Sequence, residues 1–135
     1  MKNIVTATIE FSFKGERLSP SLTLELGVYL KSTGSMPDLY MLIAKENNFD
    51  LYSYEYEMMQ AEAIQFSNPD GLIENFINAG VLDVENFEAA WQEQHALSKL
   101  LEIAEDHLNI TDFGQQSELK QALLAAYQLG KLDAK

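Results

Sequence analysis

The sequence contains no cysteine among its 135 residues. That absence excludes disulfide bonds, zinc sites with thiolate ligands, iron–sulfur clusters and a cysteine nucleophile. No run of about eighteen apolar residues occurs, which argues against a membrane-spanning helix. Near the N-terminus, Thr6, Thr8, Glu10 and Ser12 interrupt the apolar positions, so no signal peptide is expected. We therefore predict a cytoplasmic protein.

Motifs that mark common enzymes are also missing. The sequence has no Gly-rich phosphate loop with Lys, no Rossmann fingerprint, no Gly-x-Ser-x-Gly elbow, no His-Glu-x-x-His and no EF-hand spacing. Carboxylates remain available for acid–base work or for binding Mg²⁺, Ca²⁺ or Mn²⁺. The pattern therefore favours a protein without catalytic activity and without a cofactor, and a carboxylate-based enzyme is the alternative.

Histidine is scarce, and both residues fall on one predicted helix. At about 3.6 residues per turn, His95 shares a narrow stripe with Lys99, Glu102 and Asp106. Because Lys99 would repel a cation, an exposed, salt-bridged stripe is a better interpretation than a metal site. His107 borders the apolar stripe, where we expect a partly buried residue near the helix C-terminus; a catalytic base is the alternative.

Negative charge is concentrated in the middle of the chain. Residues 49–110 hold thirteen acidic residues against Lys99 alone, while the flanking segments are balanced, so this stretch accounts for the net charge of −12. Such a field repels phosphate backbones and anionic lipid headgroups. We therefore predict no direct binding of nucleic acid or membrane. A basic protein partner or divalent cations are compatible with it, and so is a solvated acidic surface without a partner.

The first third of the chain has the period of β-strands. Apolar residues alternate with polar ones from Ile4 to Phe13 and again from Leu22 to Leu30, with a Gly-containing turn at 14–17 between them. Pro20 would begin the second strand or lie on an edge. A short helix marked by Leu39, Leu42, Ile43 and Glu46 follows, with Ser35 and Asp38 as a capping box, Pro37 in the first turn, and an end at 47–48.

The segment 49–67 fits two periods. Tyr52, Tyr54 and Tyr56 alternate with Ser53, Glu55 and Glu57 as in a strand, but several of its apolar residues also share one helical face. Three tyrosines in five residues favour a strand. We predict a hairpin, with one strand near 51–59 and a second that covers Ile64 and Phe66.

The remainder is predicted to be helical. Asn68-Pro69 is typical of a helix start and Gly80 of its end. Asp83 would cap a long helix over about 84–108 that buries Trp91 and ends at Asn109. A last helix over about 115–130 would start with Asp112 and Gln115 as capping partners and stop at Gly130.

These elements together predict an α+β fold. We expect an N-terminal antiparallel β-sheet of about four strands with one short helix, packed against a C-terminal set of about three helices. The prediction is a single domain over 1–135, with 1–67 mainly sheet, 68–130 helical, and a frayed tail over 131–135.

The most distinctive string runs from Tyr52 to Met59. On a strand, the three tyrosines would line one face, and Glu55 and Glu57 would lie about 7 Å apart on the other. The row could pack against helices, form an interaction surface, or provide a carboxylate pair. The residues proposed for the interaction surface are Tyr52, Tyr54, Glu55, Tyr56 and Glu57.

The sequence alone does not identify a biochemical function. The favoured hypothesis is a small, acidic, cytoplasmic interaction or regulatory protein that presents its charge to another protein. The alternative is a small hydrolase or isomerase with carboxylate chemistry, assisted by a divalent cation, that uses Glu55, Glu57 or His107. Homo-oligomerisation through a sheet edge or a helix face is compatible with either function.

Overall fold

The computed structural model describes residues 2–108 and 117–133. It confirms the predicted α+β class, with an N-terminal antiparallel sheet and helices mostly in the C-terminal half. Among the described residues, none of the helices has the length and apolar character needed to cross a bilayer. The chain divides into two compact units, Met1–Ala89 and Ala90–Lys135, and each is described separately below. A single domain over 1–135 stays a prediction.

The first unit is built on a three-stranded antiparallel sheet. Strand β1 (Asn3–Thr8) is central, between β4 (Ser21–Glu25) and β5 (Gln65–Gly71). Two short strands, β2 (Phe11–Phe13) and β3 (Glu16–Leu18), form a separate hairpin. Lys14 and Gly15 both have positive φ, which is the backbone that a two-residue hairpin turn requires. The first predicted strand is therefore two strands, and the predicted turn is shorter.

The second predicted strand changes into a helix halfway. Strand β4 ends at Glu25, and α1 (Leu26–Thr33) begins at once, because the Glu25 carboxylate accepts a hydrogen bond from the Gly27 N–H at 2.8 Å. Leu26 and Leu30 are buried one helical turn apart, while Val28 between them is 63% exposed. The prediction of a strand that continues to Leu30 is therefore wrong.

Helix α2 (Leu39–Glu46) ends where predicted, but it begins three residues later than the predicted Ser35 cap implies. Asp38 is its N-cap, and its Oδ1 accepts from the Met41 N–H at 3.2 Å, while Pro37 precedes the cap rather than entering the first turn. One buried cluster of this unit lies where α2 and helix α3 (Tyr54–Gln60) meet residues of β1 and β2. Its buried members are Ala7, Ile9, Phe11, Ile43, Ala44, Tyr56 and Met59.

The predicted helix over 68–80 is wrong. Asn68 has a positive φ, and with Pro69 it forms a bulge in β5 where the pairing with β1 shifts between Ile4 and Thr6. A proline is tolerated there because a bulge interrupts the hydrogen-bonded ladder. A 3₁₀ turn over Leu72–Phe76 follows.

A second hairpin lies where the helix over 68–80 was predicted to end. It joins β6 (Ile77–Asn78) and β7 (Val81–Leu82). Its turn residues Ala79 and Gly80 both have positive φ, and the Gly80 carbonyl accepts from the Phe66 N–H at 2.8 Å. Gly80 therefore closes a hairpin beside β5 and ends no helix.

Helix α4 (Val84–Leu108) has the predicted bounds. Asp83 precedes it, and its Oδ1 accepts from the Asn86 N–H at 3.3 Å. Within the first unit, Phe87 is buried and its ring lies 6.0 Å from the ring of Phe76. The predicted helix end at Asn109 lies outside the described residues, as does the capping pair Asp112 and Gln115.

The second unit contains most of α4 and helix α5 (Ser117–Asp133). On α4, Trp91, Ala96 and Ala104 are buried, as predicted for Trp91. On α5, the half-buried Leu119, Leu123 and Tyr127 share one face. The helix continues through Gly130 to Asp133, so the predicted stop at Gly130 is wrong, and 134–135 lie outside the described residues.

Candidate interaction surface

The tyrosine-rich string is a helix and not the predicted strand. Asp50 forms a turn in which its Oδ1 accepts from the Tyr52 N–H at 2.9 Å and its carbonyl accepts from the Ser53 hydroxyl at 2.6 Å. The same Ser53 oxygen accepts from the Tyr56 N–H at 3.2 Å, which makes Ser53 the N-cap of α3. Local capping thus outweighs the strand propensity of the tyrosines.

The helix divides the predicted surface residues between its two sides. Tyr56 is buried in the core beside Met59. Tyr54 is 77% exposed and Met58, one turn later, is 48% exposed; Tyr52 in the preceding turn is 98% exposed. The tyrosines therefore do not form one row. Two of them point into solvent, and the third holds the helix to the core.

The two glutamates do not form the predicted carboxylate pair. On a helix, residues two apart differ by about 200° in direction, so Glu55 and Glu57 lie on different sides of α3. Glu55 is half-buried and Glu57 is exposed. Across residues 2–108 and 117–133, no group of three His, Asp or Glu side chains is arranged to hold a metal ion. The Glu55–Glu57 pair of the carboxylate-enzyme alternative therefore rests on a strand geometry that this segment does not have.

We define the α3 surface as Tyr52, Tyr54, Glu57 and Met58. It combines two aromatic rings, a flexible thioether and a carboxylate, all exposed. Exposed aromatic side chains of this size are enriched at protein interfaces. Of the five residues predicted for an interaction surface, Tyr52, Tyr54 and Glu57 belong to the α3 surface, while the half-buried Glu55 and the buried Tyr56 do not.

Tyr56 is the one core residue of α3 with a titratable group. Burial, and to a smaller extent the negative charge of Asp38, raises the pKa of its hydroxyl above the usual value. A buried phenol near a carboxylate stays neutral at physiological pH.

The histidines are separated on α4 and have different surroundings. The His95 ring stacks on the Trp91 ring with centroids 4.8 Å apart and planes at 11°. Lys99, Glu102 and Asp106 of the predicted stripe are exposed, as expected for a solvated face. His107 is also exposed, so its predicted partial burial is wrong.

A mostly apolar cleft lies in the first unit, and sequence reasoning did not find it. Its volume is about 420 Å³. Three separate segments line it: Met36–Tyr40 before and at the start of α2, the stretch from Ala63 to Phe66 that leads into β5, and Val81–Val84 around the start of α4. We call it the α2–β7 groove. No local motif could have indicated it, because the fold alone brings these segments together.

A second cleft of about 450 Å³ runs beside the edge strand β4. It is lined by residues of β4, α1 and α2, among them Glu25, Lys45 and Glu46. The Glu25 carboxylate is already engaged, since Oε1 accepts from the backbone N–H of Asn3 at 2.7 Å and of Gly27 at 2.8 Å. Lys45 and Glu46 are neighbours of opposite sign. This cleft therefore offers no ligand a preferred charge.

Compared with protein-family models, with curated proteins and with solved structures, the chain shows no significant match to any of them.

Proposed function

We propose that the chain is a small acidic protein-interaction module that binds a basic partner protein through the α3 surface and carries out no chemistry of its own. The observation that carries this proposal is the exposure of Tyr52 and Tyr54, at 98% and 77%, beside the exposed Glu57. Large aromatic side chains left in water lose hydrophobic stabilisation unless something covers them.

The charge around the α3 surface supports a basic partner. The surface lies within residues 49–62, which hold four acidic residues and no Lys or Arg. A field of one sign speeds encounter with an oppositely charged protein and disfavours acidic ones. The tyrosine rings add contact area, and cations of Lys or Arg can also lie over their faces. An aromatic and acidic surface suits a basic segment for both reasons.

Salt-dependent affinity capture tests this proposal. The immobilised protein is exposed to an extract of its source cells at low and at high KCl, beside the double variant Tyr52→Ala, Tyr54→Ala, and captured proteins are identified by mass spectrometry. We expect a basic protein that is retained by the wild type at low salt and lost both at high salt and in the variant. Because both side chains are exposed, the variant should keep its fold, which circular dichroism checks.

A matched pair of charge variants separates the α3 surface from net charge. Glu57→Gln and Glu16→Gln each remove one exposed carboxylate, but Glu16 lies on β3, outside the acidic stretch. Capture should weaken in the first and stay unchanged in the second. If both variants weaken capture equally, the interaction depends on the net charge of the protein and not on the α3 surface. If capture changes neither with salt nor in any variant, the proposal is refuted.

A further inference from the structure

We infer that the α2–β7 groove is a docking site for a basic amphipathic segment of the partner, which inserts a large apolar side chain between α2 and β7. The inference rests on the proposed basic partner and gives it a second contact surface, distinct from the α3 surface. The segment would present apolar residues to the groove and Lys or Arg residues to its edge.

The groove has a buried floor and an exposed apolar wall. Leu39 and Leu82 are nearly fully buried at its base. Val81 and Val84 on its wall are 62% and 40% exposed, although both are aliphatic. Its volume of about 420 Å³ falls in the range of about 300–1,000 Å³ that is common for ligand sites. An apolar side chain placed there would cover valines that now face water.

The charges at the groove are of one sign. Asp38 is among its lining residues, which include no Lys, Arg or His. The Glu88 carboxylate reaches the same edge, because its Oε1 accepts from the backbone N–H of the lining residue Met36 at 3.3 Å. Asp83 stands between the lining residues Leu82 and Val84 and caps α4.

A further acidic residue flanks the opposite side of the groove. Glu62 precedes the lining residue Ala63, and its carbonyl accepts from the hydroxyl of Tyr40, another lining residue, at 2.7 Å. The apolar groove is therefore bordered by acidic residues, which favour a cationic ligand over an anionic one. An apolar groove with acidic edges is complementary to an amphipathic segment that carries cations beside its apolar face.

Binding of designed peptides measures this preference directly. Three fluorescent peptides of about fifteen residues share one pattern of leucines in helical spacing and differ only in their polar residues, which are all Lys, all Gln or all Glu. Binding to the full-length protein is followed by fluorescence anisotropy at low and high KCl. We expect the Leu/Lys peptide to bind best, with an affinity that falls as KCl rises.

A matched pair of lysine substitutions locates the site. Val81→Lys places a cation on the groove wall and should weaken binding of the Leu/Lys peptide by about tenfold or more, which corresponds to ~1.4 kcal/mol. Val28→Lys makes the same change at a valine with the same exposure, 63%, on α1, and should leave binding unchanged. Ala63→Lys on the other side of the groove is a second variant, in case Val81→Lys disturbs its hairpin.

Each other outcome overturns the inference in its own way. Equal binding of the Leu/Lys and Leu/Gln peptides would mean an apolar site without a preference for cations. Loss of binding in Tyr52→Ala, Tyr54→Ala but not in Val81→Lys or Ala63→Lys would place the basic segment on the α3 surface, so that the proposed function stands and the groove does not. No binding of any peptide would remove the groove as a docking site, whatever affinity capture finds.

Discussion

At the residue scale, Asn3 has the most demanding surroundings. It is completely buried, and its Oδ1 accepts from the Ile73 N–H at 3.0 Å. Asn3→Ala would leave that buried N–H without an acceptor, at a cost of about 1–3 kcal/mol. We expect denaturant unfolding to show that loss, whereas Asn78→Ala on the exposed end of β6 should change the free energy of unfolding much less. Equal losses would contradict a specific role for Asn3.

Gly71 illustrates a glycine that no other residue can replace. Its φ is +117°, and a Cβ there would collide with the backbone carbonyl oxygen of Lys2, at the point where β5 meets the start of β1. Gly71→Ala should therefore lower the free energy of unfolding by several kcal/mol. Gly130→Ala is the matched control: a Cβ there meets nothing within 4 Å inside α5, so that variant should gain about 0.5–1 kcal/mol. Thermal unfolding of both variants separates strain from helix propensity.

The raised pKa of Tyr56 leads to a prediction of how the free energy of unfolding changes at alkaline pH. Because its pKa is raised in the folded state, by burial first and by Asp38 second, unfolding makes its proton easier to lose. The contribution of the protonated Tyr56 hydroxyl to the free energy of unfolding is fully present below the unfolded pKa of about 10. It is lost as the pH rises towards the higher folded pKa. The stability of Tyr56→Phe relative to the wild type should therefore rise above that pH. Tyr54→Phe on the exposed side of α3 is the control, and a parallel response of the two variants would contradict the assignment.

At the element scale, helix-capping residues determined the secondary structure in the segments where the hydrophobic pattern predicted the wrong element. From Leu22 to Leu30 the alternation is regular, yet only the residues up to Glu25 form a strand. Leucines at 26 and 30 satisfy both a period of two and a helical turn, so hydrophobicity alone could not distinguish them. The Tyr52–Met59 string had the same ambiguity, and Ser53 and Asp50 resolved it. By contrast, the start of α4 was predictable, because Asp83 stands directly before its apolar period, whereas the start of α2 was placed at Ser35 instead of Asp38.

Glu25 couples the start of α1 to the start of β1. Its carboxylate accepts from two backbone N–H groups, of Asn3 and of Gly27. Glu25→Ala should remove both bonds and lower the free energy of unfolding by about 2–4 kcal/mol, since bonds to charged groups contribute more than neutral ones. Glu25→Gln keeps an acceptor oxygen and should retain most of the stability. If the two variants unfold alike in urea, the carboxylate is not the link between these elements.

At the scale of the whole molecule, the arrangement of segments made the site harder to predict than the fold. The α+β class follows from where strand and helix periods occur along the chain. The α2–β7 groove needs Leu39, Phe66 and Leu82 in one place, and a bulge at Asn68 and a hairpin turn at Gly80 bring them there. Neither feature was predicted, because Asn-Pro and a later Gly are equally typical of a helix start and a helix end.

The net charge of −12 leads to a prediction about cations. Thermal unfolding is followed in EDTA and then with Mg²⁺, Ca²⁺, Mn²⁺ or Zn²⁺, each compared with KCl of equal ionic strength. Screening of the acidic repulsion depends on ionic strength and not on the identity of the cation, so every salt should stabilise the protein slightly and equally. A cation at a hundred times its dissociation constant would instead add about 2.7 kcal/mol. Such a shift from one cation alone would contradict simple screening and return the carboxylate-enzyme alternative to consideration.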